Sequence, residues 1–150
     1  MTRNAVAYEE DFFAWTQDQA RRLREGELST VDAENVAEEL DDMGRSARRE
    51  LRNRLSVLVA HLLKWRYQPG FRSPSWSGTI REQRRRVAAL LQESPSLRPQ
   101  VTRDLPAIYE SGRTDAVAET GLPDSTIPLE CPFTIEEILA EDFLPEDQAA

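Results

Sequence analysis

The chain has 150 residues, 39% hydrophobic and 31% charged, with a formal net charge of −8, the balance of one globular domain long enough to bury a core without staples. Its only cysteine, Cys131, excludes an intramolecular disulfide, and its only histidine, His61, excludes a Cys/His zinc site built from a single chain. No cationic segment leads into an apolar run at the start, and no apolar run approaches the roughly 18 residues of a membrane span, so a cytoplasmic protein with no membrane segment is expected.

Residues 9–25 place Phe12, Trp15, Gln19 and Leu23 on one side of a helix, with Gly26 positioned to cap it. Ser29 or Thr30 is expected to cap a second helix, with Ala33, Val36, Leu40 and Met43 inward and Gly44 closing it. The strongest periodicity spans 46–67, where Leu51, Leu55, Leu58, Leu62 and Trp65 recur at spacings of four and three. Pro69 and Gly70 end that helix, and the proline- and serine-rich stretch 68–77 reads as a loop.

A fourth helix over 79–93 carries Ile80, Val87 and Leu91 on one face. Ser94 and Pro95 then open a helix expected to reach Thr120, with Val101, Leu105 and Ile108 inward and Pro106 kinking or breaking it. Residues 121–133 hold three prolines and read as an extended strap, docked through Leu122, Ile127, Leu129, Phe133, Ile138 and Leu139. Thr134 with Glu137 three residues on is a capping box for a last short helix ending near Ala140. The expected fold is all-α: a compact five- to six-helix bundle with a proline-rich C-terminal strap. It forms one helical domain over 1–150, loose at 1–7 and 145–150.

Charge is distributed in blocks. Residues 1–44 carry a net −8, residues 45–103 a net +11 and residues 104–150 a net −11. An exposed basic middle would suit nucleic acid, whereas antiparallel neighbours of opposite sign would neutralise each other internally. The second arrangement is the expectation, so a nucleic-acid partner is disfavoured.

Arg84 falls inside the Ile80, Val87 and Leu91 stripe, where a guanidinium must be paired to be tolerated. The second helix offers Glu39, or Glu38 beside it, as the carboxylate, and His61 borders its own helix's apolar face. Glu38, Glu39, His61 and Arg84 are therefore the candidate polar pocket, for an anion or for acid–base chemistry, or else a buried ion pair that fixes helix register. Arg81, Arg84, Arg85 and Arg86 form a basic cluster without interleaved aromatics. The acidic run 32–42 lacks the facing Glu-x-x-His of a carboxylate metal site, so neither metal nor cofactor is expected. No serine or cysteine sits in a nucleophile motif.

Six stretches, "YEEDFFAWTQDQARRLREG", "ENVAEELDDMGRSARREL", "HLLKWRYQP", "SWSGTIREQRRRVAALL", "SPSLRP" and "ECPFTIEEIL", occur in an order and spacing that closely resemble the bacterial family Domain of Unknown Function 29, over roughly residues 8–145. The resemblance implies an all-α fold and carries no known activity, substrate or cofactor. Within the matching stretches Lys64, Trp65, Trp76 and Arg81 join the four pocket candidates as secondary positions. The functional expectation is a non-enzymatic module whose partner is protein, self or other. The two rival readings are an enzyme or small-anion binder using Glu38, Glu39, His61 and Arg84, and a nucleic-acid binder using the basic middle.

Overall fold

The computed structural model describes residues 7–146, and the ends expected to be loose, 1–7 and 145–150, lie mostly outside them. The fold is all-α. The described residues form five α-helices, α1 (Phe12–Arg24), α2 (Ala33–Tyr67), α3 (Pro74–Glu93), α4 (Arg98–Thr120) and α5 (Ile135–Leu139), the first four joined by short connections that contain 3-10 turns and the last reached through the strap 121–134, with no strand among them. Among the described residues no helix is long and apolar enough to cross a membrane. By their contacts the residues divide between Ser46 and Ala47 into two compact units, and α2 runs through both.

The first unit is organised by polar side chains. Asp11 caps α1 by accepting from the Ala14 N–H at 3.0 Å, and Gly26, at φ +75°, supplies the left-handed residue that follows the helix. Asp32, rather than Ser29 or Thr30, caps α2: its carboxylate accepts from the Asn35 N–H at 3.4 Å, and also from Asn35 Nδ2 at 2.8 Å and Trp15 Nε1 at 3.2 Å. Its own N–H donates to Gln19 Oε1 at 2.7 Å, so one residue ties α1 to the start of α2. These bonds to the charged form lower the Asp32 pKa, the Asn35 side chain first. The buried residues of α1 are Trp15, Gln19 and Arg22, while Leu23, expected inward, is exposed.

Gly44 does not close a helix. The two helices expected on either side of it are one helix of 35 residues. A mid-helix glycine is disfavoured by only about 1 kcal/mol, and an Arg45 bond to Asp42, with one to Glu38 at 3.2 Å, braces the turns around it. Leu40 and Met43, expected inward, are exposed, and every residue from 40 to 46 is exposed.

In the second unit the predicted leucine stripe is the core. Leu51, Leu55, Leu58 and Leu62 are buried, with Val59 and Leu63 beside them, and Trp65 packs at the margin. Onto this rod α3 packs Ile80 and Val87, α4 packs Val101, Ile108 and Ala116, the strap packs Ile127 and Phe133, and α5 packs Ile138. Full burial of each such side chain contributes roughly 1.5–3 kcal/mol. Helix α3 begins five residues earlier than expected because Ser73 accepts from the Trp76 N–H and Pro74 occupies the first turn, which shortens the predicted loop.

Helix α4 continues through Pro106 without a break and ends at Thr120, capped by Gly121 at φ +70°. Gly112 lets it approach α2 closely: a Cβ there would stand 2.8 Å from the Ser56 carbonyl oxygen and 2.9 Å from Val59 Cγ1. The strap docks as expected except that Leu129 is exposed. Arg113 Nε donates to the carbonyls of Ile127 and Pro128, both at 3.1 Å, and the Tyr109 hydroxyl also donates to Pro128. The capping box of α5 is present, and Pro145, expected to be loose, is buried.

Candidate functional site

Arg84 is buried, as its helical phase requires, but its partner is not a carboxylate from α2. Its Nε donates to the Ile138 carbonyl at 2.9 Å, Nη1 to Phe143 at 2.6 Å and Nη2 to Glu137 at 3.2 Å. The expected Arg84–Glu39 pair is thus replaced by the main-chain carbonyls of Glu137 and Ile138 at the C-terminal end of α5 and of Phe143 beyond it. The last turn of a helix leaves carbonyls without partners and carries partial negative charge, so a guanidinium satisfies both needs there. Desolvation lowers the Arg84 pKa, opposed by the charge of Asp142.

Glu39, the expected partner, accepts instead from the Tyr8 hydroxyl, and Glu38 accepts from Arg45. The turn at Gly44 on which a convergence of Glu39 with His61 depended is absent, since both residues ride on α2. His61 Nδ1 bonds the Val57 carbonyl one turn back at 2.9 Å, which assigns the proton to that nitrogen, and burial lowers its pKa. Each of the four pocket candidates is thus bonded to a group of its own unit.

Of the secondary candidates, the structure brings Lys64 and Trp76 together. Lys64, buried on α2, donates to Glu119 Oε2 of α4 at 2.7 Å and stands 5.0 Å from the centre of the Trp76 ring of α3, so one ammonium joins three helices. Trp65 lies under the Arg72 guanidinium at 5.0 Å, and Arg72 Nε donates to the Trp65 carbonyl at 2.7 Å. Arg81 is exposed and shares two adjoining cavities with Arg84 and Glu141. One, of about 550 Å³, also includes Ser77 and Asp142, and the other, of about 660 Å³, includes Arg85 and Leu139.

The charge blocks meet in part within the second unit. Arg48 holds Asp104 through two bonds, at 2.7 and 3.0 Å, and Lys64 holds Glu119, each joining the basic middle to the acidic C-terminal block. Arg85 and Arg86 turn to Glu82 on their own helix. No cluster of metal-ligating side chains is present among the described residues.

Sequence reasoning missed the acceptors of Arg84 because carbonyls carry no residue identity. The signal was nonetheless present: the capping box marks α5, and a five-residue helix leaves most of its carbonyls in want of donors. It also missed Tyr8, whose ring stands edge-on to Trp15 at 4.8 Å and to Phe12 at 5.7 Å while its hydroxyl reaches Glu39.

Fold and site together define an all-α protein in which the buried Arg84 guanidinium of α3 ties the C-terminal helix to it. The chain belongs to the family described as domain of unknown function DUF29, whose pattern matches residues 7–144, nearly its whole length. No curated protein and no solved structure matches it.

Proposed function

We propose that this protein is a non-enzymatic protein-interaction module of the cytoplasm. The observation that carries the reading is the apolar surface of the first unit. Phe12, Phe13, Leu23, Leu28, Leu40 and Met43 are all exposed, within a unit that buries only one large apolar side chain of α1, Trp15. Isolated exposed hydrophobics are ordinary, but such a concentration marks a contact surface. The buried cations of the second unit support the same reading, because Arg84 and Lys64 are engaged by carbonyls and a carboxylate of the fold. A free Cys131 as the only cysteine suits a reducing compartment.

The test is a photo-crosslinking amino acid placed at Leu40 or Phe13, with exposed Glu93 as the control, in cells that produce the protein. Discrete protein adducts from positions 40 and 13, absent from position 93, are expected. The reading fails if positions 40 and 13 give no adduct that position 93 does not, and the protein sediments as a monomer. A second reading, small-anion binding, is favoured by Arg81 and Arg84 sharing two cavities. Calorimetric titration with inorganic phosphate decides it: heat that disappears in Arg81→Gln supports it, and no heat at millimolar phosphate removes it.

A further inference from the structure

We infer that the partner surface of the first unit receives an amphipathic helix carrying lysine or arginine beside its apolar residues, seated on Phe12, Leu40 and Met43. The inference rests on the interaction reading above and names the chemistry of the partner. Three observations converge on it.

The first is continuity of the surface. The Tyr8 ring contacts Phe12 at 5.7 Å between centroids while its hydroxyl reaches Glu39, so the start of α1 and this stretch of α2 meet at Tyr8. Met43 lies one turn after Glu39 on the same side of α2, and Leu40 is its neighbour across the stripe. Phe12 is 51% exposed, Leu40 62% and Met43 68%, an apolar strip with nothing seated on it among the described residues.

The second is charge. Glu38, Glu39 and Asp42 all act on the Tyr8 hydroxyl, and among the described residues the cation bonded within that group is Arg45, which holds both Glu38 and Asp42. Residues 1–44 carry 12 acidic and 4 basic side chains. An acidic rim around an apolar strip repels a second copy of the same surface and attracts a cationic one. The third is the aromatic content. The half-exposed Phe12 ring beside Tyr8 offers a face on which a lysine or arginine gains cation–π attraction. Helix-in-groove recognition of this kind anchors residues one turn apart, which is the spacing Leu40 and Met43 present in return.

The test uses the full chain and two synthetic helices sharing one leucine stripe, one with lysine and arginine on its polar face and one with glutamate, followed by fluorescence anisotropy. The basic peptide should bind at least 10-fold more tightly than the acidic one and weaken as salt is raised. Leu40→Glu with Met43→Glu should weaken it by at least 10-fold, although those changes add negative charge, while Leu129→Glu in the strap should leave it unchanged. These positions are exposed, so matching circular dichroism melts establish that the variants fold. If the double variant binds the basic peptide as well as or better than the parent, the association is charge alone and the docking strip is refuted. If both peptides bind equally, the basic chemistry is refuted and the interaction surface stands. If neither binds, the inference falls, and the crosslinking at Leu40 decides separately whether the interaction reading falls with it.

Discussion

At the scale of single residues, Arg84 and His61 show how burial dictates chemistry. Removing the Arg84 guanidinium leaves the Glu137, Ile138 and Phe143 carbonyls without their donor, and an unsatisfied buried acceptor costs about 1–3 kcal/mol. Arg84→Met, which keeps the volume, should lower unfolding free energy by about 3 kcal/mol in chemical denaturation. Arg84→Lys should recover part of that loss, since an ammonium reaches fewer of the three acceptors. The helical phase of Arg84 was legible from its place between Ile80 and Val87. Its acceptors were not, because the nearest carboxylates in the sequence pattern were more visible than a set of carbonyls 53 to 59 positions away.

His61 carries a pH dependence of known sign. Its folded pKa is depressed below the ordinary 6.5, burial being the leading cause, so the unfolded chain takes up the proton first. Its contribution to stability is therefore complete above pH 6.5 and is lost as pH falls from there through the folded value. Denaturation curves from pH 7.5 down to 5 should show that slope in the parent and a shallower one in His61→Gln. A His61 that gained a carboxylate partner on folding would give the opposite slope.

At the scale of elements, the contact between α2 and α4 depends on Gly112. A methyl group there meets the Ser56 carbonyl oxygen at 2.8 Å, backbone that cannot rotate away. Gly112→Ala should destabilise the protein by roughly 1–3 kcal/mol, the usual range for overpacking, although alanine is the better helix former by up to about 1 kcal/mol. Thermal melts of Gly112→Ala beside the exposed Gly44→Ala separate the two effects: the first should lower Tm and the second should raise it. Gly44 shows why the helix boundary was misread. Glycine after an apolar stripe commonly ends a helix, but the Arg45 bonds to Asp42 and Glu38 span Gly44 and carry α2 through. The start of α3 was misread for a related reason: Ser73–Pro74 is both a loop signal and a cap-and-first-turn signal, and the packing of the helix it opens decides between them.

At the scale of the whole molecule, apolar burial is unequal between the two units. Apart from Trp15, the buried apolar residues among those described all lie beyond Ala47. Local stability follows buried apolar contact, so native-state hydrogen exchange should show the amides of 51–63 protected far longer than those of α1. Equal protection in both would contradict the division. The sequence by itself determined the all-α class, the leucine rod from Leu51 to Leu62, the docked strap and the α5 capping box. Each of these is written in spacings of three and four or in local side chain–backbone bonds, which need no distant partner. Only the tertiary structure decided that Arg84 faces carbonyls, that Lys64 takes Glu119 and Trp76, and that Leu40 and Met43 stay uncovered. Periodicity states which side of a helix is apolar, but what lies against that side is fixed by chain segments far away in sequence.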